Sequence, residues 1–108
     1  MKIICNKSEL LQGVNTVLKA VPGKTTMPIL ECILIDSTDG SIKMTANDME
    51  LGIETTICGD VIEHGKIALE AKLFSEIDRK LPDSEVSIET DSNFKAKILC
   101  EKAKFNIS

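Results

Sequence analysis

No tryptophan and no tyrosine occur in the 108 residues, and phenylalanine occurs only at Phe74, Phe94 and Phe105. So few rings give poor support to a base-stacking surface of the OB or RRM kind. Histidine occurs once, at His64 beside Gly65, where a solvated loop side chain is the plainer reading. HExxH, GxSxG and a phosphate-cradling glycine loop are all missing, so nothing in the pattern assembles a nucleophile, a base and a metal. Cys5, Cys32, Cys58 and Cys100 form no CxxC or Cys/His pair, which argues against structural zinc. Their apolar surroundings suit reduced core thiols in a cytoplasmic protein. No apolar run reaches the roughly 18–20 residues that span a bilayer. The first six residues hold too few apolar side chains for a signal peptide. Cations are also few, with 13 Lys and Arg against 17 Asp and Glu and a net charge of −4. That balance excludes a strongly basic nonspecific nucleic-acid binder and leaves room for one basic face.

What is present is an ordinary globular chain, 43% hydrophobic and 28% charged. One domain over residues 1–108 is expected, and at this length it needs no disulfide or metal staple. The centre of the pattern is residues 71–82, AKLFSEIDRKLP. Leu73, Phe74, Ile77 and Leu81 fall on one helical stripe, while Lys72, Glu76 and Arg79 share the opposite face. Pro82 ends the helix.

The rest of the chain supplies sheets. Residues 2–5 read as a strand. Asn6 or Ser8 is placed to cap the next helix, with Glu9 in its first turn. Its apolar stripe is Leu10, Leu11, Val14, Val17, Leu18 and Val21, and Pro22-Gly23 closes it. Residues 29–36 read as a central strand. Residues 42–46 and 51–57 read as strands joined by polar turns. After Gly59 the order repeats, with a strand at 66–70, the helix, then strands at 86–90, 94–100 and 103–107. Both halves therefore read strand, helix, strand, turn, strand, strand. The class is α+β, two strand–helix–sheet units with both helices packed on one face of antiparallel sheets.

Asp36, Asp39, Asp48, Glu50 and Glu54 are the acidic residues that suggest a metal site. The three aspartates lie at turns, where their oxygens serve the backbone better than an ion. Neither a metal nor another cofactor is expected, and an enzyme is not. A cationic helix face is by itself most simply a solvated one. Phe105 and Ile107 are most simply core residues, or else lie on an exposed edge strand open to another chain.

Several stretches, in order, resemble the N-terminal domain of the bacterial DNA polymerase III β subunit, the sliding clamp. They are the MKI opening, SELLQGVNTVLKAV, Met27-Pro28-Ile29-Leu30, MTANDMEL at 44–51, AKLF followed by RKLP, and Lys104-Phe105-Asn106-Ile107. The resemblance implies a DNA-clamp domain of a head-to-tail dimeric ring. Helices line the hole, and the ring slides on duplex DNA and tethers the replicative polymerase without chemistry of its own. It implies phosphate contacts from Lys24, Lys72 and Arg79, with Lys80 and Lys19 as further candidates. It implies that Ile77, Phe105 and Ile107 lie at the boundary with a second clamp subunit. Leu73 departs from the pattern, standing where relatives can carry a second base beside Lys72. The chain stops at Ser108, so the later domains, whose cleft takes polymerase and clamp loader, are expected to be absent. The competing expectation is a stand-alone interaction module that uses the C-terminal edge strand.

Overall fold

Alternation sets the strands. Ile3 and Cys5, Ile33 and Ile35, Ile42, Met44 and Ala46, Val86 and Ile88, and Ala96, Ile98 and Cys100 all point into one core, each separated from the next by a residue that faces outward. The structure is a computed structural model and describes every residue except Lys24, Thr26 and Ser108. The chain runs β1 (Lys2–Asn6), α1 (Lys7–Val17), β2 (Cys32–Asp36), β3 (Ile42–Asn47), β4 (Gly52–Ile57), β5 (Asp60–Glu63), β6 (Lys66–Glu70), α2 (Ala71–Lys80), β7 (Glu85–Thr90), β8 (Ala96–Cys100) and β9 (Ala103–Ile107). Short 3-10 turns occupy Leu18–Ala20 and Pro28–Glu31.

Two antiparallel sheets result, ordered β5-β1-β7-β8-β9 and β4-β3-β2-β6. The halves of the repeat are interleaved. β1, the first strand of the first half, pairs with β7 of the second, and β6 pairs with β2 of the first. Neither sheet is completed by one half, so the two units fold as one core. The two helices pack against each other, α1 chiefly over β4 and β3 and α2 over β6. Gly13 permits the close approach of α1, because a Cβ there would lie 2.6 Å from Ile57 Cγ2 and 2.8 Å from Met44 Sδ.

The α+β reading with two helices and two antiparallel sheets is the fold observed. Several details differ from the sequence reading. Ile29 opens no strand. Pro28 starts a 3-10 turn instead, and Ile29 on it is 62% exposed. β5 was not expected. It is four residues long with acidic ends, and it pairs with β1 through an irregular register. Phe94 belongs to the turn before β8, with φ of +59° and 75% exposure, rather than to the strand. Asn6 sits at the N-cap of α1 but its side chain makes no capping bond. Glu9 reaches instead across the domain, accepting the Cys58 N–H at 2.9 Å.

The turn aspartates behave as the sequence indicates. Asp36 accepts the Thr38 N–H, Asp39 that of Ser41, and Asp48 those of Glu50 and Leu51. The Thr38 hydroxyl, which donates to Asp36 at 2.6 Å, and then these backbone bonds hold the carboxyls below the usual range. For Asp39 the Lys43 ammonium, 2.7 Å away, leads the effect.

Candidate nucleic-acid interface

α2 begins at a cap that its sequence encodes. Glu70 accepts the Leu73 N–H at 3.0 Å, and its position before the first turn also suits the helix dipole. The helix ends at Lys80, with Leu81 extended before Pro82. Arg79 and Lys80 lie in the last turn, where cations are favourable. Lys72, Glu76, Arg79 and Lys80 are all exposed. Lys72 and Arg79, seven residues apart, line up along one face with a rise of about 10 Å between them. Arg79 Nε donates back to the Ser75 carbonyl at 3.4 Å, which fixes the stem of the side chain. Among the described residues none of these three cations enters an ion pair. Lys24 lies outside the described residues. Lys19 is exposed on the turn after α1, beside a shallow groove that Ser8, Gln12, Asn15 and Thr16 also line.

The buried face of α2 holds three of the four stripe residues, Phe74, Ile77 and Leu81, but not Leu73. Ala71, Phe74, Ser75, Ile77 and Asp78 are buried, as is Leu81 beyond the helix end, while Leu73 is 41% exposed. The buried face extends to Asp78, which takes a core position, and stops short of Leu73, which lies toward solvent. Asp78 is fully buried, and neither of its carboxyl oxygens has a hydrogen-bond partner among the described residues. The Ser75 hydroxyl, one turn earlier, is in the same position. Burial pushes the Asp78 carboxyl up to about 8, against a smaller opposing pull from Lys7. Sequence reasoning missed it, although the 71, 74, 78, 81 spacing was there to be read.

The residues expected at a subunit boundary all belong to the core or pack on it. Ile77 and Ile107 are buried, and Phe105 packs against the same cluster while keeping part of its ring accessible. Phe105 lies opposite Ile98 in the ladder. Among the described residues β9 pairs only with β8, which leaves its outer edge open there.

His64 is exposed between β5 and β6, its Nδ1 3.2 Å from the Thr38 carbonyl oxygen. Among the described residues no group of three His, Cys, Asp or Glu side chains is placed to hold a metal. No helix among them is long and apolar enough to cross a membrane.

A doubled strand–helix–sheet unit, with its helices side by side and cations on an exposed helical face, defines a domain of the DNA-clamp class. The model of the DNA polymerase III beta subunit N-terminal domain matches residues 1–108, and the chain belongs to that family. The chain is 38% identical to the beta sliding clamp of Bacillus subtilis over 116 aligned positions, covering all of this chain and 31% of the relative. It is 37% identical to the beta sliding clamp of Synechocystis, over 84% of this chain and 24% of that one. A Eubacterium rectale structure assigned as a DNA polymerase III beta subunit superposes with a TM-score of 0.98 at 67% identity, over 99% of this chain and 29% of the other. The Bacillus subtilis sliding clamp structure superposes with a TM-score of 0.94 at 36% identity, over 99% and 30%. The chain thus spans less than a third of the length of each of these relatives.

Proposed function

We propose that this chain is the first domain of a DNA polymerase processivity clamp, a ring that encircles duplex DNA, slides on it and tethers the replicative polymerase. The observation that carries the reading is the line of free cations on α2 of a clamp-family domain. Lys72, Arg79 and Lys80 screen phosphate charge without reading bases, and Lys24, outside the described residues, is the further candidate that the family resemblance adds. Few contacts suit a protein that must slide, and retention by topology is compatible with a net charge of −4. The ring itself carries out no chemistry and takes no cofactor. Its second subunit meets this domain head to tail at Ile77, Phe105 and Ile107. Polymerase and clamp loader engage later domains, beyond residues 1–108.

The test extends the chain to the length of its relatives and loads it with its clamp loader on nicked circular DNA. Retention on the circle in moderate salt, with loss after linearisation, supports encirclement. Equal behaviour on both forms overturns it. A stand-alone interaction module is the second reading, favoured by the open outer edge of β9. Such a module has no topological requirement for DNA, so the same experiment separates the two.

A further inference from the structure

The outward face of the four-stranded sheet carries an apolar groove of about 190 Å³. Ile29, Cys32, Leu34, Thr45, Asn47 and Ala68 line it, and no charged side chain is among the lining residues. Its floor follows from register, since Leu34 lies between Ala68 on β6 and Thr45 on β3. Its roof is the Pro28–Glu31 turn, which leaves Ile29 62% exposed. Met27, Met49 and Leu51 are also exposed, the last two in the hairpin that follows Asn47. Exposed methionine beside a groove makes an adaptable contact surface. Met49 has a φ of +82°, a conformation that a long side chain rarely adopts.

The rim is acidic at the Cys32 end. Glu70 lies opposite Cys32, and Glu54 opposite Thr45, so both carboxylates share the groove's face. At the other end Lys43 and Lys66 flank Asp36 on that face, and Lys43 is paired with Asp39, so the face keeps a net negative charge. Glu31 closes the Pro28–Glu31 turn beside Cys32, and Glu70 lies across from Cys32, so both stand next to the groove; burial first, and then these two carboxylates, raise the pKa of the Cys32 thiol. Phosphate or an anionic membrane would meet like charge here. A second copy of the chain would set one acidic rim against another.

We propose that this groove docks an extended cationic segment of another protein. One aliphatic side chain of that segment seats between Ile29, Leu34 and Ala68, and Lys or Arg side chains flanking it reach Glu31, Glu54 and Glu70. Charge complementarity selects the occupant, and the apolar floor sets its register. The inference stands apart from the ring reading, because it concerns the outward face of the sheet and not the helices.

The test uses a fluorescein-labelled hexapeptide of alternating lysine and leucine, titrated against the chain by anisotropy and mapped by amide NMR shifts. Expected are shifts clustered at Ile29, Leu34, Thr45 and Ala68, and weakening by about tenfold or more in Ala68→Lys or Glu54→Lys. Both variants change exposed side chains, and their own amide spectra report that they fold. A lysine–serine peptide should bind much more weakly and a glutamate–leucine peptide not at all. Shifts confined to the helices, equal binding of the lysine–serine peptide, unchanged affinity in both variants, or no binding at about 1 mM overturns the proposal. So does self-association abolished by Ala68→Lys, which would assign the groove to a second copy.

Discussion

The ammonium of Lys7, at the head of α1, donates to the carbonyl of Leu81 across 2.6 Å, just past the end of α2. It also donates to the Arg79 carbonyl at 3.2 Å, and the Lys7 N–H donates to the Ser84 carbonyl at 2.9 Å. The end of a helix leaves carbonyls without partners and carries partial negative charge. One side chain answers both needs, and it couples the start of the first helix to the end of the second. The same ammonium is the charge that pulls the Asp78 carboxyl down against its burial. Lys7 therefore serves two groups that compete for it.

Lys7→Met keeps the stem and removes the donor. The loss is expected to cost about 1.5–3 kcal/mol, as for a hydrogen bond from a charged group. Urea unfolding measures the cost. Amide exchange should accelerate first in the last turn of α2, around Lys80. An unchanged midpoint would mean that water replaces the ammonium without loss.

Asp78 makes stability fall with pH. Its folded-state pKa is raised to about 8 from an ordinary 3.8. Below the ordinary value both folded and unfolded chains hold the proton, and the acid contributes no pH dependence. Between there and about 8 the unfolded chain gives up the proton and the folded one keeps it, so stability falls as pH rises. Above that range both are ionised and the slope ends. Asp78→Asn should therefore be the more stable protein near pH 8, by on the order of a few kcal/mol, with the difference shrinking toward pH 5. Urea midpoints across that range check it. Parallel pH profiles for the two proteins would show that Asp78 is ionised in the fold.

Much of this was legible in the sequence. The repeat, the helix over residues 71–82, the turn aspartates and the α+β class all follow from periodicity and local chemistry, which act over a few residues. Strand exchange between the halves was not legible, because β1 and β6 carry the same alternation whichever hairpin they join. Nor was the placing of Leu73 and Asp78 on α2. Leu73 looks apolar enough to bury, and Asp78 looks charged enough to expose. Packing against α1 and β6 places them the other way round, and Lys7 meets part of the cost of burying the acid. β5 was lost because four residues with acidic ends look like a loop, and only its pairing with β1 makes it a strand. At the candidate interface the cations could be named from the sequence, but that Lys72, Arg79 and Lys80 enter no ion pair among the described residues needed coordinates.

Arg79→Gln separates phosphate contact from solvation. A cation that neutralises one phosphate contributes about 0.9 to the slope of log affinity against log salt concentration. In the chain extended to its relatives' length, Arg79→Gln should lower that slope by about this amount and weaken binding to all duplex sequences alike. Lys72→Gln should do the same. Their effects should add, because the two side chains stand about 10 Å apart along the helix. A sequence-dependent loss would point to base readout, and an unchanged slope would return both residues to the solvent face.

Phe105→Ala and Phe74→Ala together decide what β9 is for. Phe74 is fully buried on α2, and truncating it should cost about 3–5 kcal/mol of folding stability. Phe105 is only partly buried against the core and keeps part of its surface open, so its loss should affect folding of this chain less. If the open edge of β9 joins a second subunit, the remaining contact area of Phe105 is used there. Phe105→Ala should then raise the dimer dissociation constant of the extended chain strongly while leaving its unfolding midpoint nearly in place. Sedimentation measures the first and urea denaturation the second. A large loss of folding stability with unchanged dissociation would make Phe105 a core residue and remove it from the boundary. Equal small effects on both would leave β9 as an edge that no partner covers.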